Sequence, residues 1–222
     1  MNQPPSGQLK ITEQSRVRRG RLRASYDRKL VYSIIDEALV AYLGIVVDGR
    51  PFVLPTSHWR DGDRIYWHGA SNGRMTVGVD GQDVCLTLTL LDGLVLARSA
   101  FNHSVNYRSV MLFGKPERVT DPGEKARQLE RFIEHIAPDR WDRLRPMNEK
   151  ELKATGVMFM PIDEGSAKVR AAPPVDDEQD YDWPVWAGVL PLQSRWGQPE
   201  PCPRMTMDCC PPTPPGPWKA KV

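Results

Sequence analysis

The sequence predicts a mainly β fold with α additions, in which six antiparallel strands form a small barrel flanked by helices. Apolar and polar residues alternate in several short segments, and tight-turn signals such as Asp48-Gly49 and Asp61-Gly62 separate them. Helical spacing of apolar residues is confined to the regions before and after these segments. A barrel suits such a set of strands because closure removes exposed sheet edges.

The first helix and the strands follow one another along the chain. Ser25 or Asp27 is suited to cap a helix that runs to about Glu37, where Val31, Ile34 and neighbouring residues give one apolar face. Residues 83–91 alternate most strongly, with Val84, Leu86, Leu88 and Leu90 on one side. The predicted strands cover residues 40–47, 51–59, 65–67, 83–91, 94–100 and 107–119.

Two shorter helices and one further strand are predicted after residue 120. Asp121-Pro122-Gly123-Glu124 is a capping box with proline at the first helical position, and this helix extends to about Ile136. Asn148-Glu149-Lys150-Glu151 caps a second helix in the same way. The apolar run at 157–160 predicts a strand. Residues 164–182 lose apolar content and contain Pro173-Pro174, so we predict a loop or arm there.

Composition divides the chain into four segments. Residues 1–15 are polar and predicted to be disordered, and residues 16–170 have the size of one domain. Residues 171–193 form a predicted arm that packs on the barrel or on a partner subunit through its tryptophans. Eight of the 21 prolines fall within residues 194–222, which favours a disordered tail.

The composition excludes several classes of function. A net charge of +2 argues against a dedicated nucleic-acid binder, and no run of 18 apolar residues predicts a membrane span. The first residues lack a secretory signal, so we expect a cytoplasmic protein. The sequence has neither a dinucleotide-binding glycine motif nor a phosphate-binding P-loop. No zinc-ligand spacing occurs among the histidines or around Cys202, Cys209 and Cys210, so no metal site is predicted.

Residues 65–75, Ile-Tyr-Trp-His-Gly-Ala-Ser-Asn-Gly-Arg-Met, form the first candidate binding stretch. The β-branched and aromatic residues predict a strand that ends in a turn of small residues, with a short apolar element behind it. If that element begins as a helix, its free N–H groups favour an anion, and Arg74 adds a guanidinium suited to phosphate. The alternative is a hairpin corner with a solvated arginine.

Residues 103–110, His-Ser-Val-Asn-Tyr-Arg-Ser-Val, form the second candidate stretch. On a strand, Tyr107, Ser109 and Met111 share one face, and Asn106 and Arg108 lie on the other. Polar groups at the head of an otherwise apolar strand cost free energy when they are buried without partners. A bound polar ligand is one way to supply those partners.

Taken together, these stretches resemble the flavin-binding split-barrel proteins of the pyridoxamine-phosphate-oxidase superfamily, and most closely its Nim-type nitroimidazole-resistance branch. The resemblance rests on the order and spacing of several pieces and covers about residues 16–192. The pieces are Tyr66-Trp67-His68-Gly69, Gly73-Arg74-Met75, residues 106–110 with Phe113-Gly114, residues 148–162, and Asp182-Trp183-Pro184.

The resemblance implies FMN as the cofactor and a flavin-binding split β-barrel as the fold. The resemblance would place the FMN phosphate against Ser71, Arg74, Met75 and the backbone around Gly69 and Ala70, with Arg108 close by. The isoalloxazine ring would lie against Pro55 and Thr56, and Asn106, Tyr107 and Ser109 would line the site. His68 would lie near the ring, where it either hydrogen-bonds the flavin or acts as a catalytic general acid.

The implied function is an FMN-dependent oxidoreductase that reduces nitroaromatic or other small-molecule substrates. The family also implies a homodimer with the flavin at the subunit interface. Two alternatives stay open: a flavin store or sensor without turnover, and a split-barrel protein that binds haem or a deazaflavin. The five arginines within residues 16–23 are either a solvated basic arm or an arm that covers a phosphate or an acidic surface.

Overall fold

A computed structural model describes residues 7–207 and 209–215, and it confirms the mainly β class. Two antiparallel sheets contain all the named strands, and three α-helices flank them. The strands are β1 (Ala24–Ser25), β2 (Ala41–Val47), β3 (Arg50–Thr56), β4 (His58–Asp61), β5 (Arg64–Ala70), β6 (Val84–Leu96), β7 (Ser104–Gly114), β8 (Glu117–Arg118), β9 (Thr155–Pro161), β10 (Glu164–Arg170) and β11 (Gly188–Pro191). The helices are α1 (Arg28–Glu37), α2 (Pro122–Ile136) and α3 (Glu149–Ala154).

The larger sheet has the order β1-β10-β7-β6-β2-β3, with β11 added beside the far end of β6. The inner face of this sheet forms part of the barrel core. The core residues of neighbouring strands lie opposite one another in register. Its outer face carries a second set of aligned residues that includes Tyr42, Thr87, Met111 and Ser166. The inner residues Leu43, Leu86, Leu112, Val110 and Ala167 are fully or almost fully buried.

The smaller sheet has the order β4-β5-β9-β8 and separates two hydrophobic clusters. Because side chains alternate along β5, Ile65 and Trp67 enter the barrel core, whereas Tyr66 enters a second cluster beneath α2. That second cluster is held in part by Trp59, whose Nε1 donates to Oε1 of the buried Gln128 of α2 at 2.9 Å. The helix therefore covers the face of the sheet that points away from the barrel.

The predicted strand over residues 51–59 is in fact two strands in different sheets. β3 ends at Thr56 and β4 begins at His58, so Ser57 is the junction between the sheets. The buried His58 anchors β4 because its Nε2 lies 2.9 Å from the carbonyl oxygen of Ile35, at the end of α1. The junction Thr56-Ser57-His58 contains no glycine or proline, and the sheet that each half joins is decided by tertiary packing, so the sequence alone did not reveal it.

Two strands lie where the sequence predicted a loop or an arm. β10 contains Gly165, Ser166 and Ala167, and these small residues hid its apolar face. β11 pairs with β6 in the segment that begins at Gly93, where a β-carbon would lie 2.7 Å from the Leu190 carbonyl oxygen. Gly93 therefore permits the close approach of β11, and the arm packs on the barrel of its own chain.

The arm is also held by a partly buried ion pair between Asp176 and Arg98. The Asp176 carboxylate accepts from the backbone N–H of Arg98 at 2.9 Å and from its guanidinium at 3.0 Å. The Arg98 guanidinium lies 4.9 Å from the centre of the Tyr181 ring. The Asp176 carboxylate of the arm therefore finds its hydrogen-bond donors in Arg98, just after the end of β6 that the arm covers.

The chain before the barrel is more ordered than predicted over its described part. Leu9 is buried, and its N–H donates to the Tyr26 carbonyl oxygen at 2.8 Å. Residues 1–6 lie outside the described residues, as do 208 and 216–222. The described part of the proline-rich tail contains no helix or strand after β11. No helix in the described chain is long and apolar enough to cross a membrane.

Candidate functional site

The small-residue segment after β5 forms a compact run of turns. We expected a helix start behind Gly73, but residues 71–82 contain turns and no helix. The Thr76 hydroxyl donates to the carbonyl oxygens of Ala70 at 2.6 Å and Gly73 at 2.9 Å, and Trp67 Nε1 donates to the Met75 carbonyl oxygen at 2.9 Å. These bonds fix the segment as a rigid corner without the dipole that a helix would provide.

Much of the backbone that was predicted to hold the phosphate is already engaged within the protein. Gly69 and Ala70 pair with β9, and the N–H groups of Ser71 and Gly73 donate to the carbonyl oxygens of Ala154 and Ala70. The corner packs tightly on β9, since a β-carbon at Gly156 would lie 2.7 Å from Thr76 Cγ2. Anion binding at this corner therefore depends mainly on side chains.

Arg74 is the exposed cation of this corner, and it reaches the edge of the larger sheet. Its Cζ lies 5.0 Å from the centre of the Phe52 ring on β3. Within the described chain β3 pairs only with β2, so its other backbone edge is open. The structure thus brings Arg74 beside the strand that carries Pro55 and Thr56, as the predicted site requires.

Pro55 and Thr56 lie on opposite faces of β3. Thr56 is buried on the inner face opposite Ala41, whereas Pro55 pairs with the half-exposed Tyr42 on the outer face. A planar ligand that lies along β3 can contact the outer face at Pro55 and the open backbone edge, but not the Thr56 side chain. Met75 likewise packs against the barrel core, which assigns its side chain a structural role.

The polar residues of β7 divide between the two faces, as the alternation predicts. Tyr107 and Ser109 lie on the outer face, opposite Arg170 and Lys168 of β10. Asn106 is buried, and its Oδ1 accepts from Nη1 of Arg170 at 2.5 Å and from the Ala172 N–H at 3.2 Å. The partner of Asn106 is therefore the end of β10.

Arg108 differs most from its predicted role. Its guanidinium donates to the carboxylates of Glu37 and Asp92, and these bonds raise its pKa above the ordinary value. Five donors shared between two carboxylates leave little capacity for a phosphate. We expected Arg108 near the phosphate, but this network ties α1 to the bulge of β6 instead.

Within one chain, β7 and the β3 edge beside Arg74 are not neighbours in the larger sheet. β3 and β7 are separated by β2 and β6, and three strand spacings amount to about 14 Å. Arg74 therefore lies beyond the β3 edge, while Tyr107 and Ser109 lie near the opposite side of the outer face. A single small ligand can contact both stretches only if it is extended or if a second chain contributes.

His68 faces a different space from Arg74. Because Trp67 enters the barrel core, His68 points to the other side of β5, where its ring centre lies 4.5 Å from that of Phe132 in α2. It borders an open cavity of about 430 Å³ between β5, α2 and the chain before α3. The cavity is lined mainly by Leu129, Phe132, Ile133, Trp141, Leu144 and Met147, with Arg145, Glu151 and Thr155 as its polar members.

Two properties of His68 argue against the proton donor that we considered. Burial lowers its pKa, so its imidazole is neutral at neutral pH and carries no readily donated second proton. Its Nδ1 is buried and has no hydrogen-bond partner. A neutral imidazole beside an apolar cavity is instead suited to act as a ligand to a metal centre.

Sequence reasoning did not assign the residues that complete this cavity. Trp141, Leu144 and Met147 come from the irregular chain between α2 and α3, and their spacing there carries no periodic signal. Arg145 lies at the rim and is paired with Glu151, whose pKa this pairing lowers to about 2. Among the described residues, no cluster of three His, Cys, Asp or Glu side chains could hold a metal ion.

Comparisons with known proteins identify the family. Residues 27–169 match the family model described as pyridoxamine 5'-phosphate oxidase. The chain is 47% identical to the flavocytochrome Anf3 from Azotobacter vinelandii, with 90% of this chain and 94% of that chain covered and a TM-score of 0.87. It is 32% identical to an FAD and heme binding protein from Mycobacterium smegmatis, with coverage of 82% and 90% and a TM-score of 0.79.

A more distant similarity matches the predicted branch. The chain is 25% identical to a candidate 5-nitroimidazole antibiotic resistance protein from Bacteroides thetaiotaomicron, with coverage of 66% and 86% and a TM-score of 0.53. No curated protein matches the chain. The family model spans most of the chain, and the two closer similarities cover its two sheets and flanking helices. The chain therefore belongs to the pyridoxamine 5'-phosphate oxidase family of split-barrel proteins.

Proposed function

We propose that this protein is a redox protein of the flavocytochrome type, which binds a flavin at the β3 edge and a haem in the cavity beside His68. The observation that carries the proposal is the position of His68, whose pKa is lowered by burial and whose side chain borders an apolar cavity separate from the Arg74 corner. The similarity to proteins named for flavin and haem supports it. When bound, a haem supplies an iron that changes by one electron, and a flavin supplies a ring that takes one or two.

The residues around the cavity fit a haem in three respects. Aliphatic and aromatic side chains from α2 and the following chain provide the apolar walls that a porphyrin requires. His68 provides a neutral nitrogen ligand for the iron. Arg145 at the rim provides a cation that could meet a propionate carboxylate, as it already meets Glu151.

The flavin half of the proposal depends on the corner after β5 and on the β3 edge. Arg74 supplies the exposed cation, Pro55 supplies an apolar contact on the outer face, and the unpaired backbone of β3 supplies donors and acceptors. The protein's part is to bind and orient the ring and to tune its electronics. FMN is the flavin that the sequence implied, and FAD is the flavin named for the 32% identical protein.

Visible absorption of the purified full chain tests the proposal directly. We expect a haem Soret band and a separate flavin contribution, with flavin released into solution on acid denaturation. A flavin without any haem would reduce the function to the FMN oxidoreductase that the sequence implied, for which nitroaromatic reduction is the first assay. A chain that binds neither cofactor, even after both are added, would refute the proposal.

Replacement of Arg74 by alanine should weaken FMN binding about 10-fold or more and leave riboflavin binding almost unchanged. A charge-assisted hydrogen bond to phosphate is worth roughly 1.5–3 kcal/mol. Riboflavin has no phosphate, so it makes no such bond and should not be affected by the substitution. Quenching of flavin fluorescence during titration gives both dissociation constants. Arg50→Ala, at the start of the same β3 edge strand, is the matched control. Equal weakening of both flavins would show that Arg74 does not contact phosphate.

We also propose a homodimer with the flavin at the subunit interface. The outer face of the larger sheet exposes Tyr42, Val46, Val53 and Met111, an apolar strip that Thr87 interrupts between Tyr42 and Met111. A second copy would cover this strip and would bring the β7 residues of one chain toward the β3 edge of the other. Light scattering should give twice the mass of 25.2 kDa. A Val53→Asp chain should be monomeric, and an unchanged mass would contradict this interface.

A further inference from the structure

Arg170, the last residue of β10, is a buried cation without an acidic partner. The residue is 6% exposed, and its guanidinium donates to Asn106, to the Ala172 carbonyl oxygen at 2.8 Å and to the Pro173 carbonyl oxygen at 3.1 Å. All three acceptors are neutral, and its Nε has no partner. Burial and the nearby Arg23 lower its pKa below the ordinary value. A buried charge that lacks a counter-ion is costly, so this end of the sheet favours an anion.

Two more cations lie on the surface beside Arg170. Lys168 is two residues before it on β10, so both side chains leave the same face of the strand. Gly20, with a φ of 71°, turns the basic segment so that a β-carbon there would lie 3.5 Å from Lys168 Nζ and 4.0 Å from Arg23 Cδ. Arg23 and Lys168 therefore converge on one side of this turn, with Arg170 beneath the same end of the sheet.

The face around these cations offers hydroxyl groups and lacks carboxylates. Tyr107 lies opposite Arg170, and Ser109 lies opposite Lys168, so both hydroxyls share the outer face. In the described chain, Glu13 pairs with Arg16 and Arg18, but no acidic residue forms an ion pair with Arg23, Lys168 or Arg170. The acidic residue at the other end of β10, Glu164, is six residues or about 20 Å away from Arg170.

We infer that Arg23, Lys168 and the underlying Arg170 form a binding site for the phosphate or pyrophosphate group of a phosphorylated ligand. Arg23 and Lys168 make the direct contacts, the Tyr107 hydroxyl donates a hydrogen bond, and Arg170 strengthens the positive potential from below, whereas the Ser109 hydroxyl donates to the Lys168 carbonyl oxygen at 3.4 Å. This assigns a function to Arg23, which belongs to the basic segment at residues 16–23 and takes no part in the flavin site at the Arg74 corner. Arginine and lysine together provide both a forked and a point-like donor for phosphate oxygens.

Two sources share this chemistry. One is the phosphate group of a flavin held by a second copy, since the proposed dimer would bring β7 of one chain toward the β3 edge and Arg74 of the other. The other is a separate phosphorylated substrate or electron donor. The first source depends on the proposed flavin function, whereas the second does not, so the test measures inorganic pyrophosphate and flavins separately.

The decisive comparison uses the full chain and a double variant, Arg23→Gln with Lys168→Met. Both residues lie at least partly on the surface, so the fold is retained, and circular dichroism with the melting temperature checks this. Lys150→Met with Arg195→Gln removes the same charge from exposed positions elsewhere and is the matched control. Calorimetric titration with inorganic pyrophosphate should show that the site variant binds about 10-fold or more weakly than the wild type, since each direct contact is charge-assisted. The control variant should bind as the wild type does.

The flavin measurements identify the source. If FMN and FAD binding both weaken in the site variant while riboflavin binding does not, the site contacts the phosphate of a flavin held by Arg74 of a second copy. If neither flavin is affected and the flavin-loaded chain still binds pyrophosphate, the site takes a separate phosphorylated ligand. Pyrophosphate that binds the wild type, the site variant and the control equally, or that binds none of them, would overturn the inference. A chain that binds pyrophosphate at this site but binds no flavin would refute only the proposed function.

Discussion

Replacement of His68 by alanine should remove the haem Soret band from the purified protein and leave its flavin content unchanged. Haem content should fall from near stoichiometric to below about a tenth, because the apolar walls alone hold a porphyrin weakly without an iron–nitrogen bond. The flavin should remain because His68 and Arg74 face spaces on different sides of β5. Haem and flavin content are both measured by absorption after extraction.

Two controls separate ligation of iron from a structural role. His103→Ala removes an exposed imidazole that contacts only the Ser99 carbonyl oxygen, and it should keep both cofactors. Imidazole added to the His68→Ala protein together with haem should restore the Soret band, since the cavity left by the side chain admits the free ligand. A variant that keeps full haem content would exclude His68 as the ligand. Loss of both cofactors with a lower melting temperature would point to misfolding.

The second large effect concerns His58, and it should appear as a pH dependence of stability. Burial is the main cause of a pKa of about 4 in the folded chain, against an ordinary value of 6.5. Between these two values the unfolded chain binds the additional proton, so stability rises with pH and is lost as the pH falls through this window. The full difference corresponds to about 3 kcal/mol of unfolding free energy.

Urea denaturation between pH 7.5 and pH 4.5 measures this contribution when the wild type is compared with His58→Gln. Glutamine retains a donor for the Ile35 carbonyl oxygen but does not titrate. The variant should therefore lose much less stability than the wild type as the pH falls. His68 also has a lowered pKa and remains in both proteins, so its effect cancels in the comparison. The ring of His135 lies 6.4 Å from that of His58 and helps to lower the His58 pKa, so the difference between the two proteins includes this interaction. A difference between the two proteins that does not change with pH would contradict this assignment.

The elements that the sequence predicted well are those with a regular pattern and a local stop signal. β2 was placed within one residue because its alternation ends at Asp48-Gly49, and α2 was placed from its capping box. β10 was missed because Gly165, Ser166 and Ala167 give no apolar alternation, and its stability comes from β7 and β1 on either side. The junction at Ser57 depends on which sheet each half joins, which is a tertiary property.

The candidate site shows the same limit. The sequence correctly divided Tyr107 and Ser109 from Asn106 and Arg108, because alternation along a strand is local. It could not show that Glu37 and Asp92 engage Arg108, since these carboxylates come from α1 and from the bulge in β6. It also predicted that His68 lies near the flavin, whereas the structure places His68 on the side of β5 that faces Phe132 of α2 and away from the barrel core. The direction of a side chain depends on which neighbour is buried, and here Trp67 takes the barrel side.

The opposite orientations of Trp67 and His68 constrain how this region can evolve. A deletion or insertion of one residue inside β5 would exchange the two faces, so the indole would enter the cavity and the imidazole would enter the barrel core. Neither position should tolerate that exchange, since the cavity would lose the proposed haem ligand and the barrel core would bury a polar ring. Length variation among related chains should therefore be confined to the tight turn at Asp61-Gly62-Asp63 and to the corner after Ala70, while β5 itself should keep a constant number of residues.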